Sequence, residues 1–260
     1  MSQSIKNPFV MLWHMLRPLL IYQIISSLVF FAGTAVAGAT ATKMTLLLAG
    51  VSAGIAILPL GMLYLKQCVG KQTRSVCLWS AAAGAGACLA LNYVMSLIPL
   101  TSAAYEKADQ AIFAPPLWIQ ILCTGLVIPL AEELIFRGLA YTEVRREHSF
   151  GTAAFVSAVY FGLFHGNMVQ GIYALILGLM LAWLFERSGR LSSVWAFHAA
   201  ANLTSVAFTA WTNRRGMVEK NNFTLGAVLA VVGMAVLFYA FYRIREVTEY
   251  EATFHSNSML

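Results

Sequence analysis

The sequence predicts an all-α, polytopic membrane protein: a bundle of about eight transmembrane helices with both termini cytoplasmic. Three observations carry this expectation. Of the 260 residues, 59% are hydrophobic and 11% charged, against about 25% charged in a soluble domain. The charged residues are separated by charge-free runs close to the ~20 residues that cross a bilayer as a helix. And the Lys and Arg residues sort onto alternate connections, as membrane orientation requires.

Taken in order, the first charge-free run is Pro18–Thr42 and the second Met44–Leu65. Lys6 and Arg17 precede the first, and Ala35-Val36-Ala37 within it looks like a signal-peptide cleavage site. The run is nevertheless longer than the roughly 7–15 apolar residues of a signal peptide, so it reads as a first span. The third run, Ser75–Tyr105, is long enough for a span plus a loop, and the fourth, Gln110–Ala131, stops at a pair of glutamates. Ser149–Phe185 has no Asp, Glu, Lys or Arg; it is too long for one helix and divides at His165-Gly166-Asn167 into spans five and six. Leu191–Asn213 is the seventh and Asn221–Tyr242 the eighth, followed by a polar tail, Glu246–Leu260, expected to fray. Residues 1–260 read as one integral-membrane domain, with a motif-bearing core at 110–213.

With the N-terminus inside, the inner segments hold Lys6, Arg17, Lys66, Lys71, Arg74, Arg137, Arg145, Arg146, Arg187, Arg190, Arg243 and Arg245. The outer ones hold Lys43, Lys107, Arg214, Arg215 and Lys220. Twelve against five fixes the orientation. Trp79, Trp118, Trp183, Trp195 and Trp211 lie near run ends, where interfacial anchors sit. Gly50-x-x-x-Gly54 and the small residues Ala81–Ala87 are suited to close helix contacts.

Composition also removes function classes. The net charge of +6 lies between apolar runs, so it points to membrane orientation and not to nucleic acid. Cys68, Cys77, Cys88 and Cys123 show no C-x-x-C spacing, so neither a disulfide framework nor a zinc knuckle is indicated.

Three polar groups stand inside or against the apolar runs. The first is Glu132-Glu133-x-x-x-Arg137. On a helix Glu133 and Arg137 share a face and can pair, while Glu132 lies roughly 100° away and stays free. Read alone, these could be a helix end whose charges are solvated. The second is Phe161-x-x-x-His165, and the third His198-x-x-x-Asn202, whose two polar residues project from one face. Ionisable groups at membrane depth suggest a functional site by default. Counted from a turn at His148–Gly151, Glu132 and His165 each rise about 24 Å; His198, counted from Gly189, rises only about 14 Å. A carboxylate beside a His can activate water as general base, and a His N–H with an Asn amide can stabilise an oxyanion. The competing chemistry is zinc, for which Glu132, His165 and His198 are a legitimate ligand set, although the usual His-Glu-x-x-His is absent.

These three motifs, in this order from Trp118 to Leu203, resemble the CAAX protease and bacteriocin-processing enzyme (Abi) family, whose eukaryotic members are the type II CAAX prenyl endopeptidases. The resemblance implies an eight-helix intramembrane protease with a cavity facing the cytoplasm. By motif position it implies Glu132 as water-activating base assisted by His165, His198 and Asn202 as oxyanion site, and Glu133 with Arg137 as the supporting pair. It implies no cofactor, with zinc as the alternative. The expected partners are the lipid bilayer and a membrane-associated peptide or protein substrate, with no nucleic acid, in a prokaryotic plasma membrane. The alternative within the same fold is a non-catalytic bacteriocin-immunity or scaffold protein. A transporter using buried Glu and His as a proton relay would show inverted repeats, whereas here the polar residues lie in one half.

Overall fold

The computed structural model describes residues 8–67, 76–214 and 223–257. Lys6, Cys68, Lys71, Arg74, Arg215 and Lys220 fall outside the described residues. Nine helices make up the described chain: α1 Pro8–Ala37, α2 Thr45–Gln67, α3 Cys77–Ser96, α4 Ala103–Phe113, α5 Leu117–Glu147, α6 Phe150–Phe164, α7 Met168–Ser188, α8 Leu191–Arg214 and α9 Phe223–Asn257. A 3-10 turn, Gly38–Met44, joins α1 to α2. Six of them, α1, α2, α3, α5, α7 and α9, are long and apolar enough to cross a membrane, and the chain is a polytopic membrane protein. The other three differ from simple spans. α6 has 15 residues, about 22 Å at 1.5 Å per residue. α8 has 24 residues but is less apolar than the six. α4 is a short helix among whose residues none is buried.

Two boundaries differ from those read in the sequence. The third run ends as a helix at Ser96, and α4 follows, with the Ser102 hydroxyl accepting from the Tyr105 N–H at 3.1 Å. Pro115 and Pro116 then break the chain, because proline lacks an N–H and disfavours helix before it. The fourth span therefore starts at Leu117, not Gln110, and it does not stop at the glutamates. It continues through them to Glu147, so Glu132 and Glu133 lie mid-helix. A solvated helix end is thereby excluded: Glu133 and Arg137 are 0% exposed. The division at His165-Gly166-Asn167 is where the sequence put it. Gly166 takes φ +68°, a conformation open mainly to glycine, and the Asn167 side-chain Oδ1 caps α7 by accepting from Gln170 N–H at 2.9 Å. The polar tail is not frayed at its start: α9 continues to Asn257, and Glu249 pairs with Arg187 and Arg245.

The bundle has two ends. One, the basic end, carries the start of α1, the α5–α6 turn, the α7–α8 turn and the late turns of α9. His14 meets Glu143 there, and Arg187 meets Glu249. Arg17, Lys66, Arg145, Arg146, Arg187, Arg190, Arg243 and Arg245 lie toward this end. The other end carries α4, the α1–α2 connection and the α6–α7 turn, with Lys43 and Lys107. Arg137, counted with the inner segments from sequence, belongs to neither end, since it is buried within α5.

α3 is packed between α8 and α9, and its small residues permit this. A Cβ on Gly84 would lie 1.9 Å from the Phe197 carbonyl oxygen, and one on Gly86 2.5 Å from that of Gly233. Since Phe197 precedes His198, pressure at Gly84 is transmitted to the polar cluster. Gly84→Ala is expected to cost about 1–3 kcal/mol through overpacking, seen as lower folded yield and a lower unfolding temperature in detergent. Gly61, with nothing within 4 Å of its Cβ position, is the control: Gly61→Ala should leave both unchanged or slightly raised.

Candidate active site

α5 is built unusually, and the site depends on it. Gln120–Val127 and Leu134–Tyr141 are wound as π-helix, on either side of the α-helical stretch Ile128–Glu133. Such segments disturb the regular hydrogen-bond ladder, and inside a membrane any freed carbonyl needs a partner. Side chains supply them. Asn202 Nδ2 donates to Thr124 O at 2.9 Å and Trp195 Nε1 to Leu126 O at 3.0 Å. Ser157 Oγ donates to Phe136 O at 2.9 Å and Thr142 Oγ1 to Arg137 O at 3.1 Å. α8 is thus tied to the first π segment and α6 to the second. Trp195 is a correction: its indole N–H is spent inside the bundle and not at the lipid interface.

The adjacent glutamates face different surroundings. Glu133 points into protein, where its Oε1 accepts from Arg137 Nη1 at 3.0 Å and from His198 Nδ1 at 2.7 Å. The contact with Arg137 is through one oxygen only, not the two-pronged match expected of a guanidinium. Arg137 Nε and Nη2 and Glu133 Oε2 make no hydrogen bond. Instead the guanidinium lies 4.5 Å from the centre of the Phe161 ring, a favourable place for a desolvated cation. Glu132, 7% exposed, faces a cavity. Its Oε2 is 3.6 Å from His198 Nε2, beyond hydrogen-bond length.

Hydrogen-bond partners fix the histidine tautomers. The Phe161 carbonyl can only accept, so His165 Nδ1, 2.9 Å away, carries a proton and its Nε2 is left with a lone pair. His198 Nδ1 likewise donates to Glu133. In a neutral His198, Nε2 would then present a lone pair toward the Glu132 carboxylate. The two groups therefore face each other at 3.6 Å across the cavity wall.

The structure places Glu132, His165, His198 and Asn202 around one cavity of about 420 Å³, with Glu133 and Arg137 behind its wall. The cavity runs from Glu132 toward the end carrying α4, which contributes Tyr105, Asp109, Ile112 and Phe113. Partial burial pushes the Asp109 carboxyl above the ordinary carboxylate range. His198 reaches the cluster although the straight-helix count put it about 10 Å too low. Half of the path from Glu132 to the turn is π-helix, which is wider and rises less per residue, and this removes a few ångström of the difference.

The sequence marks Phe161 as a motif residue without assigning it a role. Its ring lies under Arg137 and edge-on to His165 and His198, at 4.9 and 5.7 Å, while its carbonyl orients His165. The Phe-x-x-x-His spacing was the signal, since i and i+4 meet on a helix. The zinc alternative fares differently. Among the described residues no three His, Cys, Asp or Glu side chains converge to hold a metal ion, and Glu132, His165 and His198 do not fit one as a trio.

Removing one member of a buried ion pair leaves the other uncompensated, at about 3–5 kcal/mol. Arg137→Ala is therefore expected to lower folded yield sharply, and with it any activity. Arg137→Lys should be intermediate, because an ammonium reaches Glu133 but cannot lie flat on Phe161. A size-exclusion profile and a melting curve like those of the wild type for Arg137→Ala would show that the pair contributes nothing.

Residues 114–204 match the family model described as Type II CAAX prenyl endopeptidase Rce1-like. No curated protein and no solved structure matches the chain. The matched stretch begins just before α5 and ends within α8, and all three polar motifs fall inside it. Residues 114–204 are therefore a domain of the Rce1-like type II CAAX prenyl endopeptidase family, whose members are generally proteases.

Proposed function

We propose that the chain is an intramembrane endopeptidase that hydrolyses a peptide bond in a membrane-associated peptide or protein, using water activated by Glu132 and His165. The observation that carries this reading is the Glu132–His198 couple: a cavity-facing carboxylate whose nearest imidazole is itself held by a second, charge-compensated carboxylate. With His198 Nε2 carrying a proton, Glu132 is an ionised base and Nε2–H is a donor. His165, with its lone pair on Nε2, can accept a hydrogen bond from one O–H of the water and aim the oxygen, that proton staying on the oxygen. Glu132 takes the second water proton as the oxygen attacks the carbonyl carbon. The developing oxyanion is met by His198 Nε2–H and by the Asn202 N–H not used on Thr124. Collapse of the tetrahedral species then passes a proton from Glu132 to the leaving amine. Glu133, fixed by Arg137, holds His198 in orientation as the carboxylate of a triad holds its histidine.

The test is cleavage by purified protein in detergent or proteoliposomes. Glu132→Gln keeps size and removes the base, so it should fold and insert normally yet lose about 10²–10⁴ in rate. Wild-type cleavage should persist in a strong chelator; loss on chelation and recovery on adding zinc would instead mark a metal enzyme. Equal cleavage by wild type and Glu132→Gln would remove Glu132 as base.

A further inference from the structure

We propose that Asp109 is a subsite for a cationic nitrogen group of the substrate, so that the polypeptide cut carries an ammonium or guanidinium near the scissile bond. This rests on the endopeptidase reading for the chemistry at Glu132, but the charge preference of the cavity stands on its own observations.

The first is the inner face of α4. Tyr105, Ala108, Asp109 and Ile112 follow at helical spacing and all line the cavity. Three of them suit an apolar wall, and Asp109 interrupts it. The other charged side chains of α4 do not share that face: Glu106 and Lys107 are exposed and take no part in the lining. Glu106 already has a local partner, since the Thr101 hydroxyl donates to its Oε1 at 3.2 Å. Asp109 is half-buried, and among the described residues no hydrogen bond or ion pair meets its carboxylate. Desolvating a carboxylate is costly unless something pairs it. Here the unpaired group faces the cavity, where a ligand can be the partner.

The second is charge. Glu132 and Asp109 are the carboxylates of the lining, and among the described residues that line the cavity there is no Lys or Arg. Arg137 stands behind the wall, with its charge spent on Glu133. The fixed charge of the lining is therefore negative. It attracts a cation and repels an anion, the carboxylate at the end of a chain included.

The third is what stands beside the carboxylate. Burial, and after it the Asp109 charge, raises the Tyr105 phenol above its ordinary range, so ring and carboxylate are close neighbours. A cation between them meets a negative charge and an aromatic face together. Ala108 and Ile112 on the same face suit the methylene stem that carries such a head. From Leu117, just past the end of α4, to Glu132 helix α5 rises about 22 Å. Extended chain advances about 3.3 Å per residue, which puts the cation within about seven residues of the bond cut.

The test uses the full-length chain purified in a non-ionic detergent. The probes are pools of N-acetylated peptides, randomised among Ala, Leu, Phe and Ser except at one position, which is Lys, norleucine or Glu. Cleavage by the wild type and binding to Glu132→Gln, the latter by fluorescence anisotropy of labelled pools, are measured side by side. The Lys pool is expected to be cut and bound about tenfold better than the norleucine pool, as one hydrogen bond to a charged group allows, and the Glu pool worse than either. Asp109→Asn should make Lys and norleucine equal, and Asp109→Lys should put the Glu pool first. Glu106→Gln removes an exposed carboxylate from the same helix and should keep the Lys preference, which separates a subsite from diffuse surface charge. A norleucine pool with a free amino terminus identifies the source of the cation: if it matches the Lys pool the group is the chain terminus, and if it does not the group is a side chain. No preference for Lys or for the free terminus in either readout, or a preference that survives Asp109→Asn, overturns the proposal. Pools cut without preference would sink the subsite and leave the endopeptidase standing. An Asp109-dependent preference in binding, with no pool cut, would do the opposite.

Discussion

One carboxylate oxygen carries more of this structure than any other atom. Glu133 Oε1 accepts from Arg137 on its own helix and from His198 on α8. A buried charge is tolerable only when paired, and here the pairing also does geometric work. The arginine neutralises the glutamate, so α5 can run through a charged sequence at membrane depth without ending. The shared oxygen then fixes His198, which is what sets Nε2 against Glu132. Phe161 closes the group by lying under the guanidinium, so α6 is committed as well. Three helices converge on a junction that burying apolar surface alone would not specify, because apolar packing has no direction.

The same junction separates two sides of the bundle. On one side of it are the cavity and its polar lining; on the other Phe136 and Leu181 are fully buried. α8, which brings His198 and Asn202, two of the four motif residues that line the cavity, is correspondingly too polar to count with the six apolar spans.

Much of this was legible in the sequence because membrane proteins are written in long periods. Charge-free runs and Lys/Arg placement mark helices and their order, and the turn at His165-Gly166-Asn167 announced itself by residue type. The i, i+4 spacing of Glu133 with Arg137 and of His198 with Asn202 put each pair on one face. Other features have no such signature. α4 was hidden because its sequence is neither apolar enough for a span nor polar enough to exclude a helix; only Pro115 and Pro116 hinted at a break. The end of the fourth span was misplaced because charge was taken as a stop signal, which fails once the charges neutralise each other within the helix. The triple role of Phe161 and the inward turn of Trp195 depend on contacts between helices, and a single chain's pattern does not encode those contacts. Nor does it encode which end of a bundle is hollow.

The π-wound segments fix something else: the number of residues in α5. Each residue added to a regular helix turns everything beyond it by about 100°, and a wider turn absorbs that rotation. Between Leu117 and Glu132 the winding of Gln120–Val127 sets the heading of the carboxylate. A single deletion there would restore regular winding and leave the heading of Glu132 unchanged, but Thr124 and Leu126 would no longer present freed carbonyls to Asn202 and Trp195. This stretch therefore has a reading frame of its own, in which side chains can be exchanged but the residue count cannot change.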